Sequence, residues 1–90
     1  MKMVINTCYG GFAIKDEVLE RLGLDEDADD LRYDPRLIAE IERLGSKAVS
    51  EYYSRLEVVE VPDNATDYRI SYYDGIETVL YVVDGKIHTL

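Results

Sequence analysis

The spacing of apolar and polar positions changes along this chain, and each change marks an element. Lys2-Met3-Val4-Ile5-Asn6-Thr7 is β-branched and apolar, the composition of a short buried strand. Cys8-Tyr9-Gly10-Gly11-Phe12 follows as a loop, because adjacent glycines make helix and strand costly. Asp16 to Gly23 then takes a helical spacing. Acids occupy its first turn, Val18, Leu19 and Leu22 form the apolar stripe, and Gly23 is a natural stop. Asp25-Glu26-Asp27-Ala28-Asp29-Asp30 cannot pack and reads as a solvated loop. Asp34-Pro35 opens the clearest helix, an N-cap aspartate followed by proline at the first helical position. Leu37, Ile38, Ile41 and Leu44 share one face of it, with Arg36, Glu40 and Arg43 opposite. Gly45 either ends this helix or lies within a pattern that runs on through Ala48 toward Tyr52.

From Leu56 the period becomes two. Leu56 to Val61 is a strand stopped by Pro62-Asp63-Asn64. Tyr68–Tyr73 and Ile76–Val83 flank Asp74-Gly75, and Asp84-Gly85 leads into a last strand from Lys86 to Leu90. Asp-Gly between strand-like runs marks a hairpin, since a type I′ turn needs positive φ at both central residues. The order β-α-α-β-β-β-β predicts an α+β domain over residues 1–90. Its sheet is mostly antiparallel, a C-terminal meander from about residue 56 plus the N-terminal strand, with two helices packed on one face.

Composition narrows the function classes. A chain of 90 residues, 47% apolar and 32% charged, has the balance of one globular domain rather than of a disordered segment. No apolar run reaches the roughly 20 residues a membrane helix requires. The start turns polar too soon for a signal peptide, so a cytoplasmic location is expected. A single cysteine excludes an internal disulfide framework and a Cys-rich zinc site. Ten basic residues against 19 acidic ones leave a net charge of −9, which repels nucleic-acid backbones. No cofactor or metal is expected.

Val4-Ile5-Asn6-Thr7-Cys8-Tyr9-Gly10-Gly11-Phe12 resembles the opening of a family of small uncharacterised phage and prophage proteins. That family continues with Gly-Leu-Ser-Asp-Glu and later carries an Asp-Pro-x-Leu-Ile helix, a Val-Glu-Ile-Pro-Asp-Asp turn and a Tyr-Asp-Gly-x-Glu hairpin. The matching stretches here are Asp34-Pro35-Arg36-Leu37-Ile38, Val59-Glu60-Val61-Pro62-Asp63-Asn64 and Tyr73-Asp74-Gly75-Ile76-Glu77. Two features depart from the family. Ala13-Ile14-Lys15 stands in place of Gly-Leu-Ser, and the aromatic-rich C-terminal end is missing, leaving His88 as the candidate for the family's histidine. The resemblance implies a phage or prophage context and carries no established activity.

Three sets of residues offer chemistry. Cys8, where a strand meets a glycine-rich loop, is a potential nucleophile if His88 serves as its base; the bland alternative is a small buried residue closing the strand. Cys8, Tyr9, Gly10, Gly11 and Phe12 together suit a small-ligand loop, with glycine amides for an anion and aromatic rings for stacking. A nucleotide-like ligand would then need a cation from Lys15, Arg69 or Lys86. Neither a P-loop nor a Rossmann fingerprint is present. Asp25, Asp27 and Asp29 have the spacing that opens a calcium loop, but Asp30 and Arg36 stand where that motif needs glycine and glutamate.

The acids themselves are the third set. Asp16 to Asp34 holds nine acids and two arginines, a local net charge of −7. Such a field steers basic partners and imitates nucleic-acid phosphates. Eight tyrosines add interface-prone surface, with Tyr68, Ile70 and Tyr72 on one strand face and Arg69, Ser71 and Tyr73 on the other. The expectation is a non-catalytic binding module that engages a host protein through Asp25, Glu26, Asp27, Asp29 and Asp30. A homodimer through an uncovered sheet face is also expected.

Overall fold

A computed structural model describes all residues from Met1 to Leu90. The chain runs β1 (Lys2–Asn6), α1 (Asp16–Leu22), a 3-10 turn (Leu31–Tyr33), α2 (Pro35–Leu44), α3 (Ser46–Val49), β2 (Leu56–Glu60), β3 (Asp67–Tyr73), β4 (Ile76–Val83) and β5 (Lys86–Thr89). The class is α+β with antiparallel pairing throughout.

Local chemistry sets the element ends. Asp34 Oδ1 accepts from the Arg36 N–H at 2.9 Å and Pro35 takes the first helical position, so α2 starts where its cap can satisfy an otherwise orphaned donor. Gly23 closes α1 in the left-handed conformation, its N–H bonded to the Glu20 carbonyl. Helix α2 ends at Leu44, and beyond Gly45 a separate single turn, α3, carries Ala48 and Val49 instead of a continued α2. A 3-10 turn at Leu31–Tyr33, which the sequence pattern did not reveal, follows the acidic run.

The strands divide between two sheets. β1 pairs with β2, in register from Lys2 opposite Glu60 to Asn6 opposite Leu56, while β3, β4 and β5 form a separate three-stranded meander. The meander therefore begins at Asp67 rather than near residue 56. Val61 still exchanges backbone hydrogen bonds with Met1 at 2.8 Å, and Pro62, which lacks an N–H, ends the pairing there as the chain crosses to the second sheet.

Burial explains this layering. Met3, Val4 and Ile5 are all buried because β1–β2 is a middle layer with cover on both faces. Val4, Val58 and Leu56 face a core built with Val18 and Leu19 of α1 and Leu37, Ile38 and Ile41 of α2. Met3, Ile5 and Val59 face the other way, against Val79, Ile70 and Tyr81 of the three-stranded sheet. Both principal helices thus lie on one face of the two-stranded sheet.

A buried polar network ties the two sheets together. Asn6 has no exposed surface; its Nδ2 donates to the Cys8 and Gly75 carbonyls, each at 2.7 Å, and its Oδ1 accepts from the Arg55 N–H at 2.8 Å. Glu77 accepts from the Asn6 N–H at 2.9 Å and from both terminal nitrogens of Arg32 at 3.1 Å. Every buried side-chain polar atom finds a partner, as a low-dielectric interior requires.

Candidate functional site

The acidic run forms a well-anchored surface loop. Leu24, Ala28 and Leu31 pack against the helical core, and the Asp27 N–H donates to Asp25 Oδ1 at 3.0 Å, fixing a turn. Asp25, Glu26, Asp27, Asp29 and Asp30 are exposed, and none belongs to any of the seven ion pairs of the structure. Apart from the Asp25 turn contact, these carboxylates have no charged partner within the fold.

Beside the loop lies a cleft of about 470 Å³ lined by nine residues, including four carboxylates (Asp16, Glu26, Asp27 and Glu51), two aromatic rings (Phe12 and Tyr53) and no cation. The Arg32 guanidinium carbon sits 5.1 Å from the centroid of the Phe12 ring, a cation–π contact that holds the ring. No three His, Cys, Asp or Glu side chains converge as a metal site would require.

A second groove, of about 670 Å³, has the opposite charge. Lys15, Lys47 and Arg55 line it with Cys8, three serines and Tyr52, and Glu51 is its one acid. Glu51 borders both concavities, so the Glu51-Tyr52-Tyr53 segment is a ridge between an acidic and a basic hollow. The two tyrosine rings meet edge to face at 5.1 Å, Tyr52 toward the basic side and Tyr53 toward the acidic one.

The residues of the Cys8–Phe12 loop are spread over different surroundings. Cys8 borders the basic groove, Phe12 the acidic cleft, and Tyr9 is 66% exposed. Gly75, the second residue of the β3–β4 turn, seats against the backbone nitrogens of Gly10 and Gly11. A Cβ built on Gly75 would lie 2.8 Å and 2.7 Å from them. A Cβ on Gly10 would collide with the Tyr53 carbonyl oxygen. Gly10 and Gly75 therefore permit a close backbone crossing, whereas at Gly11 a Cβ would meet nothing within 4 Å and the positive φ of 98° is what favours glycine.

The polar neighbours of the Cys8 thiol are all oxygens: the Tyr53 and Tyr9 carbonyls at 3.3 Å and 3.4 Å and Asn6 Oδ1 at 3.9 Å. His88 lies on β5, stacked on Tyr81 with ring centroids 5.2 Å apart. Of the cations weighed for a ligand, Lys15 borders the Cys8 groove. Arg69 borders a shallow hollow on the three-stranded sheet, and Lys86 is exposed on β5.

Lys47, Arg55 and Glu51 escaped the sequence reading. The one available signal was that Lys47 and Arg55 bracket a stretch holding a single acid, Glu51, in a chain otherwise crowded with acids. Comparison with known proteins returns no match: no protein-family model, curated protein or solved structure matches this chain.

Proposed function

We propose that the protein is a non-catalytic binding module that engages a basic protein partner through its acidic 16–34 segment. The observation that carries this reading is the cleft beside the loop, with four carboxylates, two aromatic rings and no cation. A lysine or arginine side chain fits that chemistry, its stem against Phe12 and Tyr53 and its charge among the carboxylates. The unpaired acids of the loop extend the field outward and steer a basic surface toward the cleft. The non-catalytic reading is supported by a thiol whose polar contacts are oxygens rather than a base. The resemblance to small phage and prophage proteins supports a host protein as that partner and the host cytoplasm as the place of encounter. No helix is long and apolar enough to cross a membrane.

The test begins with host lysate passed over the parent protein and over a variant with Asp25, Asp27, Asp29 and Asp30 all changed to Asn. A protein retained by the parent and lost from the variant is then measured kinetically. Its association with the parent should slow steeply between low salt and about 0.15 M, where the Debye length is about 8 Å, and the variant should bind slowly with a flat salt response. Equal rates for both proteins at every salt concentration would refute the reading.

A second copy of the chain is a further partner favoured by one observation. In the three-stranded sheet, the face turned away from the core carries Ile76, Leu80 and Val82 of β4 and Ile87 of β5, and Ile87 is 73% exposed. A homodimer through this face would cover the stripe. Sedimentation of the parent at rising concentration should show association that Ile87→Lys abolishes; monomer behaviour throughout would dismiss the dimer.

A further inference from the structure

The basic groove is as unexpected in this chain as the acidic cleft is expected. Lys15, Lys47 and Arg55 come from three chain segments, and backbone hydrogen bonds hold those segments in place. Lys15 N–H donates to the Val49 carbonyl at 2.9 Å, Glu51 N–H to Ala13 at 3.3 Å, and Thr7 N–H to Arg55 at 2.8 Å. The positions from which the cations project are therefore set by the fold before any ligand arrives.

Nor are the cations committed to internal partners. Lys15 Nζ donates once, to the Lys47 carbonyl at 3.1 Å, and an ammonium has three donors to give. Lys47 forms no ion pair, and Arg55 is matched only with Glu57 at 3.6 Å, beyond hydrogen-bonding distance. Among the hydroxyls, Ser54 is committed to the Ala13 carbonyl at 2.7 Å, and Ser50 accepts from the Leu56 N–H at 2.8 Å. The Tyr52 side chain, on a residue 95% exposed, remains open.

We infer that this groove is a binding site for a small phosphate monoester. Three cations line the groove against one carboxylate, and even with Glu57 set against Arg55 at 3.6 Å the local balance stays positive, the sign that a phosphate monoester requires. A hollow of about 670 Å³ falls within the roughly 300–1,000 Å³ of small-molecule sites, room for a phosphate and one attached ring system. The net charge of −9 selects against longer polyanions, whose remaining phosphates would face repulsion from the rest of the surface. The site is independent of the acidic cleft: its cations lie on the other side of the Glu51-Tyr52-Tyr53 ridge.

Cys8, the only cysteine of the chain and a residue of the groove wall, reports the local potential. Its alkylation rates with anionic iodoacetate and neutral iodoacetamide are compared, and the ratio is set against that of 2-mercaptoethanol. The parent should show a ratio several-fold above this neutral thiol despite its overall negative charge. The double variant Lys47→Ala/Arg55→Ala should fall to or below it. Calorimetric titration with adenosine monophosphate provides a readout that needs no reactive thiol. Adenosine monophosphate should bind the parent and bind the double variant at least tenfold more weakly, while adenosine should not bind. A parent ratio at or below that of 2-mercaptoethanol would overturn the inference. So would the absence of adenosine monophosphate binding, or equal binding by parent and double variant.

Discussion

The backbone N–H of Asn6 donates to Glu77 Oε1 at 2.9 Å, joining β1 to β4 although the two strands belong to different sheets. Arg32 completes the arrangement with two bonds to the same carboxylate and a third to the Val4 carbonyl at 3.2 Å. Removing Arg32 leaves a carboxylate that is only 7% exposed without its counter-ion. Arg32→Leu should therefore destabilise the protein by about 3 kcal/mol in urea unfolding at neutral pH. In a Glu77→Gln background, where no charge is stranded, the same substitution should cost at least about 1 kcal/mol less. Equal costs in the two backgrounds would show that the ion pair does not couple the sheets.

The two Asp-Gly turns provide an internal control for the glycine crossing. Asp74-Gly75 has φ of 50° and 88°, and Asp84-Gly85 has φ of 53° and 74°, the same turn twice. A Cβ on Gly85 meets nothing within 4 Å, whereas one on Gly75 would collide with Gly10 and Gly11 backbone. Gly85→Ala should cost about 1–2 kcal/mol, the strain of a left-handed alanine. Gly75→Ala should cost clearly more and displace the Gly10–Gly11 loop, visible as amide shift changes from residues 8–12 in an NMR spectrum. Similar melting temperatures for the two variants would contradict the close packing.

Acid should weaken the fold through two carboxylates. Hydrogen bonding to Arg43, then to Arg21, holds Glu40 below its ordinary 4.5, and the Arg36 side chain holds Asp34 below its ordinary 3.8. Both values are lower in the folded than in the unfolded chain, so the unfolded state takes up protons first as pH falls. Their contribution is full above the ordinary carboxylate values and is lost as pH drops through the folded ones. The melting temperature should decline from about pH 4.5 downward, and Glu40→Gln should flatten that decline. An unchanged slope in the variant would rule out the Glu40 contribution.

Changing Asp25, Asp27, Asp29 and Asp30 together to Asn should leave urea stability within about 0.5 kcal/mol of the parent, because exposed unpaired acids contribute little to folding. A loss well beyond that would mean that the loop is structural rather than a presented surface.

What the amino-acid order determined by itself was local. Asp34-Pro35 started a helix and Gly23 ended one because capping satisfies backbone groups within a few residues. Asp74-Gly75 and Asp84-Gly85 made their hairpins because positive φ is a property of the turn residues themselves. The exposure of the acidic run followed from charges too numerous to bury. Tertiary structure alone decided that Leu56–Glu60 pairs with β1 rather than with Tyr68–Tyr73, because strands of like composition are sorted by which faces find cover. It alone also sent Cys8 and Phe12 to opposite sides of a tyrosine ridge and gathered Lys15, Lys47 and Arg55 around one of them. Lys15 stands 32 residues before Lys47, and a field that depends on distance in space leaves no periodicity along a chain.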